Sequence, residues 1–225
     1  MQIIPTILQS DLAEVKRQVA LARSMPGLET IQLDIMDGLL TEEVSVNLAD
    51  LTEVEYGDLK LDIHLMTQEP MDFVWELIEL KEWLPISSVT AQIERMSYQA
   101  DFISEIRKQS WKAQLSLELY TPFESLDPAS WAADGIQLLA VQPGSQGQAL
   151  NQMVFDRLQE LKLEQQRYRP TELDQPLEVW VDGGVKPTHL EHLKQAGVTG
   201  VTVGSHIWQA ADPISAYKDL IEEAD

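Results

Sequence analysis

Two short runs carry residues that could do chemistry. Residues 31–38 read IQLDIMDG and residues 61–66 read LDIHLM. Both alternate with period 2, so Gln32, Asp34 and Met36 share one face of a strand while Ile31, Leu33 and Ile35 share the other. Asp62, His64 and Met66 repeat the pattern in the second run. A further acid, Asp182, is followed at once by Gly183 and Gly184, and Thr6 lies in the first apolar run. Two carboxylates and an imidazole, here Asp34, Asp182 and His64, can hold a hard or borderline divalent metal. The same two carboxylates, on opposite sides of a substrate, can exchange protons with it. Taken singly, each residue has an ordinary explanation. A strand-end His is commonly a hydrogen-bonded core residue, an Asp before Gly-Gly stabilises a turn, and Met fills core space. Recurrence of polar groups at one end of several strands, where burial is costly, is what marks a site.

The elements that must position these residues follow from the alternation of short apolar runs with longer amphipathic ones. Strands are expected at 3–8, 30–35, 59–65, 87–93, 113–119, 136–141, 177–182 and 200–204. Helical patterns run from Ser10 to Met25, Met71 to Trp83, Tyr98 to Gln109, Asn151 to Gln166, Pro187 to Gln195 and Pro213 to Glu223. Ser10 is the expected N-cap of the first, and Pro187 and Pro213 suit helix starts. Leu39 to Gly57 shows no clear helix and reads as a loop with a short helical turn. Eight right-handed βα units close most naturally into an α/β TIM (β/α)8 barrel, with residues 1–225 as one domain. A doubly wound open sheet is the alternative. In a barrel, Asp34, His64 and Asp182 converge at the C-terminal mouth.

Composition narrows the function classes. The 225 residues, 44% of them hydrophobic, suffice for one large core. There is no Cys, which excludes a disulfide framework, a thiolate zinc site and a Cys nucleophile, and suits a cytoplasmic protein. The start MQIIPTILQSDLAEV has no signal-peptide pattern, and no apolar run is long enough to span a membrane. A net charge of −21 argues against nucleic acid or anionic lipid as partner. An anionic small molecule would then need local positive potential from backbone amides, helix N-termini or a metal ion.

Glycines supply the first of these. QPGSQGQ (142–148), DGG (182–184) and GS (204–205) follow the sixth, seventh and eighth strands. Loops at this place, with a short helix N-terminus, are the recurrent phosphate cradle of such barrels. Lys186 is the one basic residue near them, so amides are expected to do the binding.

Along nearly the whole chain the sequence resembles the ribulose-phosphate 3-epimerase family. The resemblance rests on IIPTILQSDLAEV, LDIMDG, LDIHLM, VQPGSQGQ, VDGGV and VTVGSHIWQAADP, in order and correctly spaced. It implies a TIM barrel and an isomerase of the pentose phosphate part of carbohydrate metabolism. That enzyme interconverts D-ribulose 5-phosphate and D-xylulose 5-phosphate with a divalent metal (Zn, Fe, Mn or Co) held by two His and two Asp. The resemblance places the paired acid and base, also metal ligands, at Asp34 and Asp182, and one metal-binding His at His64. Gln32 falls where the other His is expected, and Thr6 where the family usually has Ser. Met36 and Met66 match two members of a methionine cap over the reacting carbons, and Leu139 falls near the third. Gly147, Gly183, Gly184, Gly204 and Ser205 match the phosphate-binding loops. The family often forms dimers or hexamers, so a homo-oligomer is implied.

The departures cluster at the site. Gln32 is a poorer ligand than imidazole, which would leave the metal weak or absent. Gln92 stands where a His is common, LLTEEVSVN after Gly38 lacks the aromatic-Val-Pro-Asn pattern, and Ser145 and Gln146 replace Phe-Gly. Three functions therefore stay open: an epimerase of a ketose phosphate, a sugar-phosphate-binding barrel with lost or altered catalysis, and another phosphate-barrel enzyme such as a lyase or synthase. Against the last, those families rely on an Asp-x-Lys-x-x-Asp motif that LKLDIHL matches poorly.

Overall fold

The computed structural model describes residues 1–144, 147–173 and 175–224. Its strands are β1 (Gln2–Ile7), β2 (Thr30–Met36), β3 (Lys60–Met66), β4 (Ile86–Gln92), β5 (Lys112–Leu117), β6 (Gly135–Leu139), β7 (Glu178–Asp182) and β8 (Gly200–Val203). Every neighbouring pair is parallel, and β1 pairs with β8 from Gln2↔Gly200 to Pro5↔Val203. That last ladder closes the sheet, so the fold is a TIM barrel and not the open doubly wound alternative.

The helices are α1 (Leu12–Ala22), α2 (Pro70–Leu80), α3 (Gln99–Lys108), α4 (Met153–Tyr168), α5 (Pro187–Gln195), α6 (Ser205–Trp208) and α7 (Pro213–Ala224). Proline opens α5 and α7, as the missing N–H at a first helical turn allows. The cap of α1 differs from expectation. Asp11, not Ser10, has the extended backbone of an N-cap, and its carboxylate accepts from the Ala13 amide at 2.9 Å. Two crossovers depart from a strict βα repeat. The β2–β3 connection carries one 3₁₀ turn, Asp50–Glu53, and the β5–β6 connection carries two, Phe123–Ser125 and Pro128–Ala132. Pro122 caps the first of these turns and Pro128 opens the second, and buried Phe123 and Trp131, ring centroids 6.3 Å apart, lie in the core here.

Period 2 sorts each strand into two faces. One face carries Ile31, Leu33, Ile35, Leu61, Ile63, Leu65, Val89, Leu115, Leu138 and Val181, all in the hydrophobic cluster that the helices cover. The other, lining the barrel interior, carries Thr6, Gln32, Asp34, Asp62, His64, Ser88, Thr90, Gln92, Gln114, Ser116, Gln137 and Thr202, all buried. A barrel interior is usually filled with branched apolar side chains. Here it is a polar core, and its burial is tolerable because strand neighbours bond to one another, as Thr90 does to Asp62 at 3.1 Å.

Candidate functional site

Strand register decides which polar groups meet. Thr6 lies opposite Gln32 in the β1–β2 ladder, Asp34 opposite His64 in β2–β3, and Asp182 opposite Leu139 on one side and Thr202 on the other. Asp34 is the hub. Its Oδ1 accepts from Gln32 Nε2 at 2.8 Å and faces His64 Nδ1 at 3.1 Å, and its Oδ2 accepts from the Thr6 hydroxyl at 2.9 Å. Gln32 Nε2 also donates to Thr6 Oγ1 at 3.1 Å. The same His64 Nδ1 is 3.8 Å from Asp182 Oδ2, so one imidazole nitrogen faces both carboxylates. Trp208 at the end of α6 ties the strand carrying Thr6 in place, donating from Nε1 to the Thr6 carbonyl at 2.6 Å.

A cavity opens above this cluster at the C-terminal mouth. Thr6, Asp34, Met66, Leu139, Asp182, Gly147, Gly183, Gly184, Gly204 and Ser205 line it. Gln32 and His64 lie below its floor, fully buried. Met36 is not part of its wall. It faces an adjoining pocket beside Leu8 and Gly144, where Thr41 donates to its sulfur at 3.4 Å. Gln92 is also away from the cavity; its amide nitrogen, assigned by its partners, meets Ser116 O at 3.2 Å and Glu94 Oε2 at 2.7 Å. Ser145 and Gln146 lie outside the described residues. Leu8 and Val141, which the sequence does not single out, also line the cavity, as do Gln142, Pro143, Gly144 and Gln148 of the QPGSQGQ loop. The signal was present in the QPGSQGQ run: Gln148 Nε2 donates to the Gln142 carbonyl at 2.7 Å and so closes that loop.

Among the described residues the lining contains no Lys or Arg, and Lys186 instead stands at the N-cap of α5. Backbone donors are what this rim offers. Gly184 has φ +70°, and a Cβ there would lie 2.2 Å from the Leu150 amide nitrogen, so only glycine lets the β7 loop nest against the β6 loop. At the neighbouring position α6 begins; the amides of Ile207 and Trp208 are taken by the Gly204 carbonyl, and Ser205 itself lines the cavity.

The electrostatics follow from burial. Asp182 is pushed up to about 6, by desolvation first and then by the charge of Asp34. Burial presses His64 down, but the hydrogen bond with Asp34 and the charges of Asp34, Asp182 and Asp62 outweigh it, leaving His64 above its usual value. Both shifts favour retention of a proton, on the Asp182 carboxyl and on the His64 imidazole.

The donor set does not fit the divalent metal that the resemblance implies. Among the described residues no three His, Cys, Asp or Glu side chains are grouped to hold a metal ion. The fourth ligand position is Gln32, which turns its N–H groups toward Asp34 and Thr6, while its Oε1 is buried without a partner among the described residues.

Comparison with known proteins assigns the scaffold. The family model for the ribulose-phosphate 3 epimerase family matches residues 2–208. The chain is 26% identical over 212 residues to ribulose-phosphate 3-epimerase of Aquifex aeolicus, covering 93% of this chain and 90% of that protein. It is 29% identical over 234 residues to the cytoplasmic isoform of ribulose-phosphate 3-epimerase from Oryza sativa subsp. japonica, covering 98% and 94%. In structure it resembles 3-hexulose-6-phosphate synthase from Salmonella typhimurium, with TM-score 0.68 at 14% identity over 100% of this chain and 98% of that one. Phosphoribosyl anthranilate isomerase from Thermus thermophilus gives TM-score 0.62 at 14% identity, over 99% and 98%. At such identities these two speak to the barrel alone. The family match spans the strands that carry Thr6, Asp34, His64 and Asp182, and on that ground the chain belongs to the ribulose-phosphate 3-epimerase family.

Proposed function

We propose that the chain is an epimerase of a ketose phosphate, of the ribulose 5-phosphate/xylulose 5-phosphate type, working as one cytoplasmic barrel domain. The observation that carries this reading is the pair Asp34 and Asp182. Both line the same cavity, and both reach the one nitrogen of His64 that lies between them. One carboxylate takes the proton from the carbon beside the ketone. The C–H electron pair moves into the new C=C bond, and the former carbonyl oxygen takes the negative charge of an enediolate. The other carboxylate gives a proton to the opposite face, inverting the carbon. The end states differ little in energy, so acid and base exchange roles with direction, and a carboxyl group near 6 suits that exchange at neutral pH. His64 lies between the two carboxylates and faces both through Nδ1, which holds them in fixed relation to each other. The glycine loops at 147, 183–184 and 204–205 hold the phosphate through backbone amides.

A second reading, a barrel that binds sugar phosphate with lost or altered catalysis, is favoured by Gln32 and Gln92 at positions where the family has His. Proton NMR of D-ribulose 5-phosphate in deuterated water separates the two. The epimerase reading expects the C3 proton signal to disappear as xylulose 5-phosphate appears. Binding without exchange, from folded protein, would leave the second reading standing.

A further inference from the structure

We propose that Gln32 is a positioning residue that takes the place of a metal ligand: its amide N–H groups hold the Asp34 carboxylate and the Thr6 hydroxyl, and the site works without a divalent metal ion.

The direction of the Gln32 amide is fixed by its neighbours. A carboxylate only accepts, and Asp34 Oδ1 is 2.8 Å from Gln32 Nε2. The Thr6 hydroxyl gives its one proton to Asp34 Oδ2 at 2.9 Å, so it presents a lone pair to Gln32 Nε2 at 3.1 Å. Both neighbours therefore require a donor, and turning the amide over would set its oxygen against two acceptors. A metal ligand must present a lone pair; at this position the protein presents N–H. The oxygen that could coordinate is at the other end of the amide, buried and without a partner among the described residues. Asp34 is meanwhile engaged by three groups, Gln32 and His64 on Oδ1 and Thr6 on Oδ2, so most of its acceptor capacity is taken by the protein itself. Those three contacts do for Asp34 what a metal and its outer hydrogen bonds would do, fixing the carboxylate's orientation toward the cavity.

The inference takes the role of Asp34 from the epimerase reading, but metal binding is read without turnover. Native protein and Gln32→His, both stripped with a chelator, are titrated with Co²⁺ and followed by visible absorption, with metal content measured separately by mass spectrometry. The native protein is expected to show no ligand-field band and no retained metal. Gln32→His is expected to show a band that saturates near one Co²⁺ per chain, because it restores a lone pair. A stoichiometric band in the native protein, or none in folded Gln32→His, overturns the proposal. Gln32→Leu, with its melting curve as a check on folding, tests the positioning role. Its kcat is expected to fall at least about tenfold while KM for D-ribulose 5-phosphate stays within about twofold. An unchanged kcat, or native activity that a chelator abolishes and metal restores, also overturns it.

Discussion

Acidic residues line both ends of the barrel, and the ends differ in how those residues are satisfied. At the N-terminal end, Asp62, Glu178, Gln114 and Lys112 line a depression. Glu178 is paired there with Lys112, accepts from Trp180 Nε1 at 3.3 Å and faces Gln114 Nε2 at 3.5 Å, and Asp62 accepts from Thr90. At the C-terminal end, Asp34 and Asp182 share one imidazole, and the buried atoms His64 Nε2 and Gln32 Oε1 have no partner among the described residues. Glycines at φ +101° and +70° follow directly after Asp182. Buried acid alone is therefore a poor mark of a site: Asp62 and Asp182 are both pushed up to about 6, mainly by desolvation. What distinguishes the functional end is incomplete satisfaction inside a rim of glycine amides.

The sharpest way to break this comparison is to neutralise one acid at each end. Asp34→Asn and Asp182→Asn should each lower kcat by about 10³-fold or more, since each removes a proton-transfer group. Asp62→Asn should leave kcat within about twofold and change stability instead. The sign follows from the direction of its shift. With a folded value raised to about 6 against an ordinary 3.8, Asp62 binds its proton more tightly in the native state. Its stabilising contribution is full below pH 4 and is lost as the pH rises through 6. At about 1.4 kcal/mol per unit, the loss is on the order of 3 kcal/mol. Urea unfolding should therefore show Asp62→Asn more stable than the native protein at pH 8, with the gap closing below pH 4.

Next in size are the glycines. Gly184→Ala meets both a left-handed backbone and the Leu150 amide at 2.2 Å, whereas Gly197→Ala meets the same kind of backbone, φ +90°, with nothing within 4 Å. The second should cost roughly 1–3 kcal/mol of stability from backbone strain, with KM unchanged. The first should cost more and also raise KM for the sugar phosphate, as read by urea unfolding and steady-state kinetics. The smallest effect is expected from Thr6→Val, which removes one donor to Asp34 and one acceptor for Gln32. A fall in kcat of about tenfold, equivalent to ~1.4 kcal/mol, fits the loss of a hydrogen bond to a charged group.

Period 2 was enough to place Asp34, His64 and Asp182 at one mouth, because strand direction leaves little freedom once the barrel closes. The proline starts of α5 and α7 were legible for a similar reason, since proline restricts its own φ. Other features depended on choices between near-equals. Ser10 and Asp11 are both good caps, and only the backbone of the folded chain, extended at Asp11 with its carboxylate on the Ala13 amide, distinguishes them. The 3₁₀ crossovers around Pro122 and Pro128 depend on Phe123 and Trp131 finding a tertiary surface, which local patterning does not report. Met36, two residues beyond Asp34, shares its strand face but lines the adjoining pocket, where Thr41 holds its sulfur. Least legible was Gln32. Its two amide ends have nearly the same shape, and only the acceptors around it decide which end faces Asp34.

The central claim, inversion by two carboxylates acting on opposite faces, is tested most directly by C3–deuterium exchange in the two Asn variants. Each variant is given D-ribulose 5-phosphate and, separately, D-xylulose 5-phosphate in deuterated water. The two-carboxylate account predicts that Asp34→Asn exchanges the C3 proton of one epimer only, Asp182→Asn that of the other only, and neither interconverts them. Interconversion at near-native rate by either variant would contradict it.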